Sequence, residues 1–447
     1  MNNRIINRNS QRTLSQAGPR STVIVTIVVL SLCAIITGLI TAVAAISFVE
    51  SMMWLNNLLT IPASNAHFGF KAETWYWILL TLLIPILVGL LVGQITQSIT
   101  SRKSHGLLES IKAAHSVRPS LPLGDGLKSA VATIISMGSG ASVGHYGPIA
   151  HLGTTLGSTL TRLFRANQFT GTIAIGCGAA AAIATAFNAP LAGIVFSHEV
   201  ILRHHSLRSF APIAISASTG YFVSHVVFDR PSLFQVSSID LIYPLEYAAF
   251  IFIGIVGAVI ATGLVKSVIT ANKVSLALPV SKCFTPAIAG LCLGVTALWM
   301  PEILDISNKT LKLTVLHDAF SSVDLVLIFI ARFLLTALCI GFGFAGGIFS
   351  PSLLIGALFG AFIGINLEAF VGIENTNIAV YAICGMMAVT SPIIGAPLTS
   401  ILIIIELTGN YDLATAALVS VVFSNLVAYR LFGRSLFDLQ LRNEKVV

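Results

Sequence analysis

Five apolar runs, roughly 22–49, 75–97, 246–268, 322–345 and 413–432, are each long enough to cross a bilayer. A membrane helix needs about 20 consecutive apolar residues. Within hydrocarbon only helices and closed barrels satisfy every backbone polar group. The chain is therefore expected to be an all-α polytopic membrane protein. Composition agrees: 55% of the 447 residues are hydrophobic and only 10% are charged, against about 25% charged in an ordinary soluble domain.

The net charge of +7 lies between the apolar runs and not in one dense block. That argues against nucleic acid as a partner and fits the positive-inside rule. Arg4, Arg8, Arg12 and Arg20 mark residues 1–20 as a cytoplasmic tail. Arg102, Lys103, Lys112 and Arg118, then Arg203 and Arg208, then Arg430, Arg434, Arg442 and Lys445 fit the same face. The loop 50–74 suits the outside. Both termini are expected to be cytoplasmic, in the inner (plasma) membrane of a bacterial cell. The first run is too long for a cleaved signal sequence. The six cysteines lie in apolar segments without a CxxC pair, so they read as packing residues, with no metal or cofactor expected.

Shorter apolar pieces, interrupted by Gly and Pro, lie near 125–140, 148–164, 171–186, 188–202, 349–370, 377–388 and 394–408. They repeat. GPIAHLGTTLG (147–157) sets Pro148, Gly153 and Gly157 on Pro351, Gly356 and Gly360 of SPSLLIGALFG (350–360), 203 positions on. CGAAAAIATAFNAPLAGIVFSHE (177–199) sets Cys177, Gly178, Ala189, Pro190, Leu191 and Glu199 on Cys384, Gly385, Ala396, Pro397, Leu398 and Glu406, 207 positions on. The chain divides into a first membrane repeat (21–231), a linker (232–245), a second repeat (246–432) and a short cytoplasmic tail (433–447). Matched interrupted segments point to a binding site built from discontinuous helices.

A helix start carries unpaired N–H groups and about half a positive charge, and so attracts anions without a buried cation. MGSGASVGHYGPIAHLG (137–153) and GFGFAGGIFSPSLLIG (341–356) both place glycines before a helix start and Pro148 or Pro351 in its first turn. Two such starts would suit one small anion. The alternative is that these glycines only allow close helix packing.

GHYGP (144–148), GGIFSP (346–351) and FNAPLAGIVFSHE (187–199) together resemble the CLC family of chloride channels and proton/chloride exchangers. The resemblance covers roughly 22–440. It implies an inverted repeat of tilted and broken helices, a homodimer with one pore per subunit, and chloride or another small anion as the transported ligand. Many eukaryotic members add cytoplasmic CBS domains, and none is expected here. The family's GxFxP motif is intact at Gly347–Pro351, which implies that the amides of Ile348 and Phe349 face the anion. The position after Gly144 and His145, normally the gating glutamate of GKEGP or GREGP, is Tyr146, followed by Gly147. The family's GSGIP segment corresponds to SHGLL (104–108), so His105 stands where a serine usually meets the inner anion, beside Gly106. The usual inner tyrosine corresponds to Phe437. The exchangers' internal proton-transfer glutamate corresponds to Val200, beside the retained Glu199.

A phenol has an ordinary pKa of about 10, so Tyr146 cannot compete with an anion as a carboxylate does, although it can donate an O–H bond. It reads as a gating residue or, alternatively, as a packing residue facing away. With Tyr146 and Val200 both unable to carry a proton, the expectation is passive, channel-like chloride transport without proton coupling. The alternatives are proton/chloride antiport by another route, through His198 or Glu199, and fluoride conduction. His105 has an ordinary pKa near 6.5, and reads either as an anion donor with pH-dependent affinity or as an interface histidine. His145, His151 and His198 read first as hydrogen-bonded core residues. The equivalence of Glu199 and Glu406 argues for helix-end capping. No HExxH, no GxSxG with triad partners and no Walker sequence is present, so an enzyme is not expected.

Overall fold

The computed structural model describes residues 20–61, 72–117, 119–163, 168–230, 246–304, 314, 321–371, 377–431, 433 and 435–443. The start of the expected N-terminal tail, much of the loop 50–74, the linker 232–245 and the last four residues lie outside these. The described residues form sixteen α-helices: α1 (Arg20–Leu59), α2 (Ala72–Gln97), α3 (Leu107–Ala114), α4 (Leu123–Gly138), α5 (Tyr146–Leu163), α6 (Gln168–Phe187), α7 (Pro190–Phe196), α8 (Leu207–Phe222), α9 (Glu246–Ala277), α10 (Thr285–Trp299), α11 (Ser322–Gly341), α12 (Phe349–Val371), α13 (Ile378–Ile394), α14 (Pro397–Thr408), α15 (Tyr411–Leu431) and α16 (Leu436–Asn443). A π-helical turn, Ser197–Leu202, continues α7. Eight described helices are long and apolar enough to cross a membrane.

The five long runs appear as α1, α2, α9, α11 and α15. Four helices were not foreseen: the short α3 and α16, and the longer α8 and α10. α8 is diluted by Ser209, Ser216, Ser218 and Thr219, and α10 is only fifteen residues long. The run 322–345 also ends earlier than expected, at Gly341.

The repeat governs the packing. α5 packs on α6, and α12 packs on α13. A Cβ at Gly153 would stand 2.3 Å from the Gly178 carbonyl, and one at Gly356 would stand 2.4 Å from the Gly385 carbonyl. These four glycines are repeat equivalents, so each half brings its helix pair together at backbone distance in the same place. The breaks match as well. Gly140 and Gly343, 203 positions apart, both turn with positive φ (81° and 99°) where α4 and α11 end. Asn188 and Gly395, 207 positions apart, do the same (53° and 74°) before Pro190 and Pro397 open α7 and α14. Left-handed backbone ends a helix cheaply at Gly or Asn.

Candidate anion site

Two repeat-equivalent glycines join the halves. The Gly144 N–H donates to the Gly347 carbonyl and the Gly347 N–H to the Gly144 carbonyl, both at 2.7 Å, as an isolated antiparallel bridge. This bridge sets the starts of α5 and α12 beside each other. The His145 carbonyl accepts from Ile149 N–H and the Ile348 carbonyl from Ser352 N–H, so both helices begin in register with the repeat. The earliest N–H groups of such helices have no partner within the helix, and Pro148 and Pro351 occupy first-turn positions that need none.

One cavity of about 460 Å³ lies at these starts. Gly106, Gly147, Ile348, Phe349 and Phe437, five of the residues expected at the site, line it together. Lys103, Ser104, Glu109, Asn272 and Gln440 line it too and were not foreseen. Ser104 Oγ is buried and has no hydrogen-bond partner among the described residues. Its only sequence signal was adjacency to His105 and Gly106. Asn272 and Gln440 sit on α9 and α16 outside any motif.

Tyr146 does not line the cavity. It lies behind Phe349, with its ring stacked on Phe187 (4.0 Å between centroids, 20°) and edge-on to Phe349 (5.1 Å, 64°). His145 packs on its other side at 4.0 Å. The side chain is 2% exposed, and no protein group among the described residues hydrogen-bonds its hydroxyl.

His105 departs from the expectation of an anion donor. Ser104 and Gly106 face the cavity, whereas the His105 ring turns to the opposite side of the chain. There its Nε2 lies 2.9 Å from Ser101 Oγ and its ring meets that of His151. Ser129 Oγ accepts the His105 main-chain N–H at 2.9 Å and fixes the turn. The imidazole, larger than a serine side chain, lies beside His151 of α5, with its main chain tied to Ser129 of α4.

Glu199 and Glu406 are reciprocal caps. Glu199 accepts from the N–H groups of Leu398 (3.1 Å) and Thr399 (2.9 Å) and from Thr399 Oγ1 (2.7 Å) at the start of α14. Glu406 accepts from the N–H groups of Leu191 (2.8 Å) and Ala192 (2.7 Å) at the start of α7. A carboxylate satisfies orphan donors there and complements the helix dipole. Both Glu199 oxygens are thus engaged at the start of α14, in keeping with the helix-end capping expected from its equivalence with Glu406. His198 lies apart from the cavity, with Nδ1 on the His204 carbonyl (3.0 Å) and its ring near His205. Val200 is buried in the π turn.

The sequence profile described as "Voltage gated chloride channel" matches residues 86–429. The chain belongs to that family. An H(+)/Cl(-) exchange transporter, ClcA, of Vibrio parahaemolyticus is 30% identical over 322 residues, 70% of this chain and 69% of that protein. The ClcA exchange transporter of Vibrio cholerae is 29% identical over the same shares. A solved structure described as a slow cyanobacterial Cl-/H+ antiporter superposes with a TM-score of 0.83 at 25% identity, covering 93% of this chain and 98% of that one. A CLC-type fluoride/proton antiporter superposes at 0.76 with 19% identity, covering 93% and 98%. It shares the fold.

Members of this family are transporters and not enzymes, and the chain is a multi-pass membrane protein that moves anions. The comparisons overturn the expectation of passive, uncoupled transport. The ClcA relatives and the cyanobacterial structure are described as coupled proton/chloride exchangers, although one relative from Ralstonia nicotianae, 26% identical, is described as a putative chloride channel protein. The inference from Tyr146 and Val200 went too far. Losing a carboxylate at two positions shows only that those positions carry no proton, and leaves every other group free to do so.

Proposed function

We propose that the chain exchanges chloride for protons across a bacterial inner membrane. The observation that carries this reading is the Gly144–Gly347 bridge, which sets two helix starts against one cavity lined by Ile348 and Phe349 in a chain whose relatives are exchangers. The amides of Ile348 and Phe349 hold the anion, helped by the dipole of α12. Ser104 Oγ faces the same cavity and adds an O–H donor where the aligned His105 adds none. Phe437 closes the inner side with a ring and no hydroxyl.

Tyr146 occupies the gate position in this reading. Wedged between Phe187 and Phe349, it closes the cavity on the side away from Lys103 and Ser104, and it opens by moving its ring out of that stack. Being neutral, it cannot enter the anion site as a competitor, so the proton travels on other groups. The repeat is inverted, the protein is a homodimer with one pathway per subunit, and both termini are cytoplasmic. The reciprocal Gly144–Gly347 and Glu199–Glu406 contacts support a two-fold relation between the halves.

The test is reconstitution into chloride-loaded vesicles diluted into low chloride. Outward chloride flow is expected to drive protons inward against their own gradient. Chloride efflux without proton movement would contradict the reading.

A further inference from the structure

We propose that His105 and His151 form the inner stretch of the proton route, running behind the anion cavity; this rests on the coupled-exchange reading above. The two rings meet edge to face with centroids 5.5 Å apart and planes at 88°. They are 8% and 1% exposed. Each ring has one nitrogen on a hydroxyl and the other open. His105 Nε2 is 2.9 Å from Ser101 Oγ, and Ser101 is exposed. His151 Nδ1 is 2.8 Å from Ser110 Oγ, which is 2.7 Å from Thr154 Oγ1. His105 Nδ1 and His151 Nε2, the two remaining nitrogens, are buried without a hydrogen-bond partner.

A buried polar atom left unpaired is costly, and an ionisable group within a membrane protein marks function more often than packing. A neutral imidazole holds one N–H and one lone pair. It takes a proton at one nitrogen and releases another from the opposite one, so N–H bonds of the rings and O–H bonds of the flanking hydroxyls form and break in step and no net charge stays behind. Ser101, His105, His151, Ser110 and Thr154 make five such donor–acceptor groups starting from an exposed hydroxyl, and the Thr154 hydroxyl donates back to the His151 carbonyl at 2.8 Å.

The line is separate from the anion path. Ser104 and Gly106 face the cavity, and His105 between them faces α5. Other ionisable groups on the surrounding elements are engaged or lie at the rim. Glu109 on α3 accepts the Gly106 N–H at 2.9 Å, and Asp125 on α4 accepts the Thr100 N–H at 3.4 Å. Lys128 on α4 donates to the Ser98 carbonyl. Lys103 lines the cavity and is exposed, Lys112 lies at the far end of α3, and His145, just before α5, packs its ring at a 43° tilt on that of Tyr146.

Two substitutions test the relay. His151→Asn keeps a polar atom near Nδ1 for Ser110 and deletes Nε2, and His105→Gln keeps one near Nε2 for Ser101 and deletes Nδ1. In vesicles where chloride and proton fluxes are recorded together, each variant is expected to keep conducting chloride while its proton-to-chloride ratio falls at least about tenfold. Chloride flux in the same vesicles reports folding. A variant that conducts chloride at the wild-type ratio overturns the relay, and so does loss of chloride flux in both, which would make the pair structural. A wild type that moves no protons overturns the exchange reading itself, and the relay with it, so the two failures are told apart by the wild-type trace.

Discussion

Gly144 and Gly347 exchange both of their backbone hydrogen bonds at 2.7 Å, although they lie 203 positions apart. They stand at equivalent positions of the two repeated segments, so each half gives the same N–H and carbonyl to the bridge. It places two helix starts side by side, with no buried Lys or Arg among the described residues that line the cavity there.

A Cβ at position 144 would stand 2.8 Å from the Ser350 nitrogen and 2.9 Å from the Gly347 carbonyl. Gly144→Ala must therefore push α12 away from α5. Overpacking of this kind costs about 1–3 kcal/mol. The expected outcome is a lower melting temperature in detergent and chloride flux down about tenfold or more. Wild-type flux from Gly144→Ala would separate the bridge from the anion site.

Tyr146→Glu puts a carboxylate of ordinary pKa about 4.3 beside the cavity. Above that range the charged group competes with chloride, and below it the group is neutral. Chloride flux in this variant is expected to rise as pH falls, measured by efflux between pH 4 and 8. A pH profile identical to wild type would move Tyr146 off the pathway. Tyr146→Phe keeps the stack on Phe187 and removes only a hydroxyl that lies off the cavity lining, so chloride affinity is expected to stay near wild type, and a loss of about tenfold would show that the hydroxyl reaches the anion.

Phe437 lines the cavity without a polar atom. Phe437→Tyr adds one O–H donor on the inner side, and one new hydrogen bond is worth about 0.5–1.5 kcal/mol. Chloride binding measured by calorimetry is expected to tighten about twofold to tenfold. Weaker binding would indicate that the added hydroxyl points away from the anion.

Glu199→Gln and Glu406→Gln remove equivalent caps, each expected to cost about 1–2 kcal/mol. Thermal unfolding should drop by similar amounts in the two variants. With both Glu199 oxygens held by α14, Glu199→Gln is expected to retain proton coupling. A variant that folds, conducts chloride and moves no protons would return Glu199 to the proton route.

Much of the site was legible because helix breaks are written in Gly and Pro at a fixed offset. Gly147, Ile348 and Phe349 could be placed from GHYGP and GGIFSP alone. Glu199 and Glu406 could be read as caps from their equivalence. Side-chain direction was not legible. Nothing in SHGLL shows that His105 turns away from the anion while Ser104 turns toward it. The meeting of His105 with His151 depends on how α3, α4 and α5 pack. Gln440 and Asn272 reach the cavity from α16 and α9, where no motif marks them. The expectation of uncoupled transport went too far because two missing carboxylates were visible in the sequence, whereas the meeting of His105 with His151 was not.

The most direct test is the reversal potential of the reconstituted protein under opposing chloride and pH gradients. Coupled exchange predicts that a pH gradient at fixed chloride shifts the reversal potential. A reversal potential that follows the chloride gradient alone, unmoved by pH, would contradict the account.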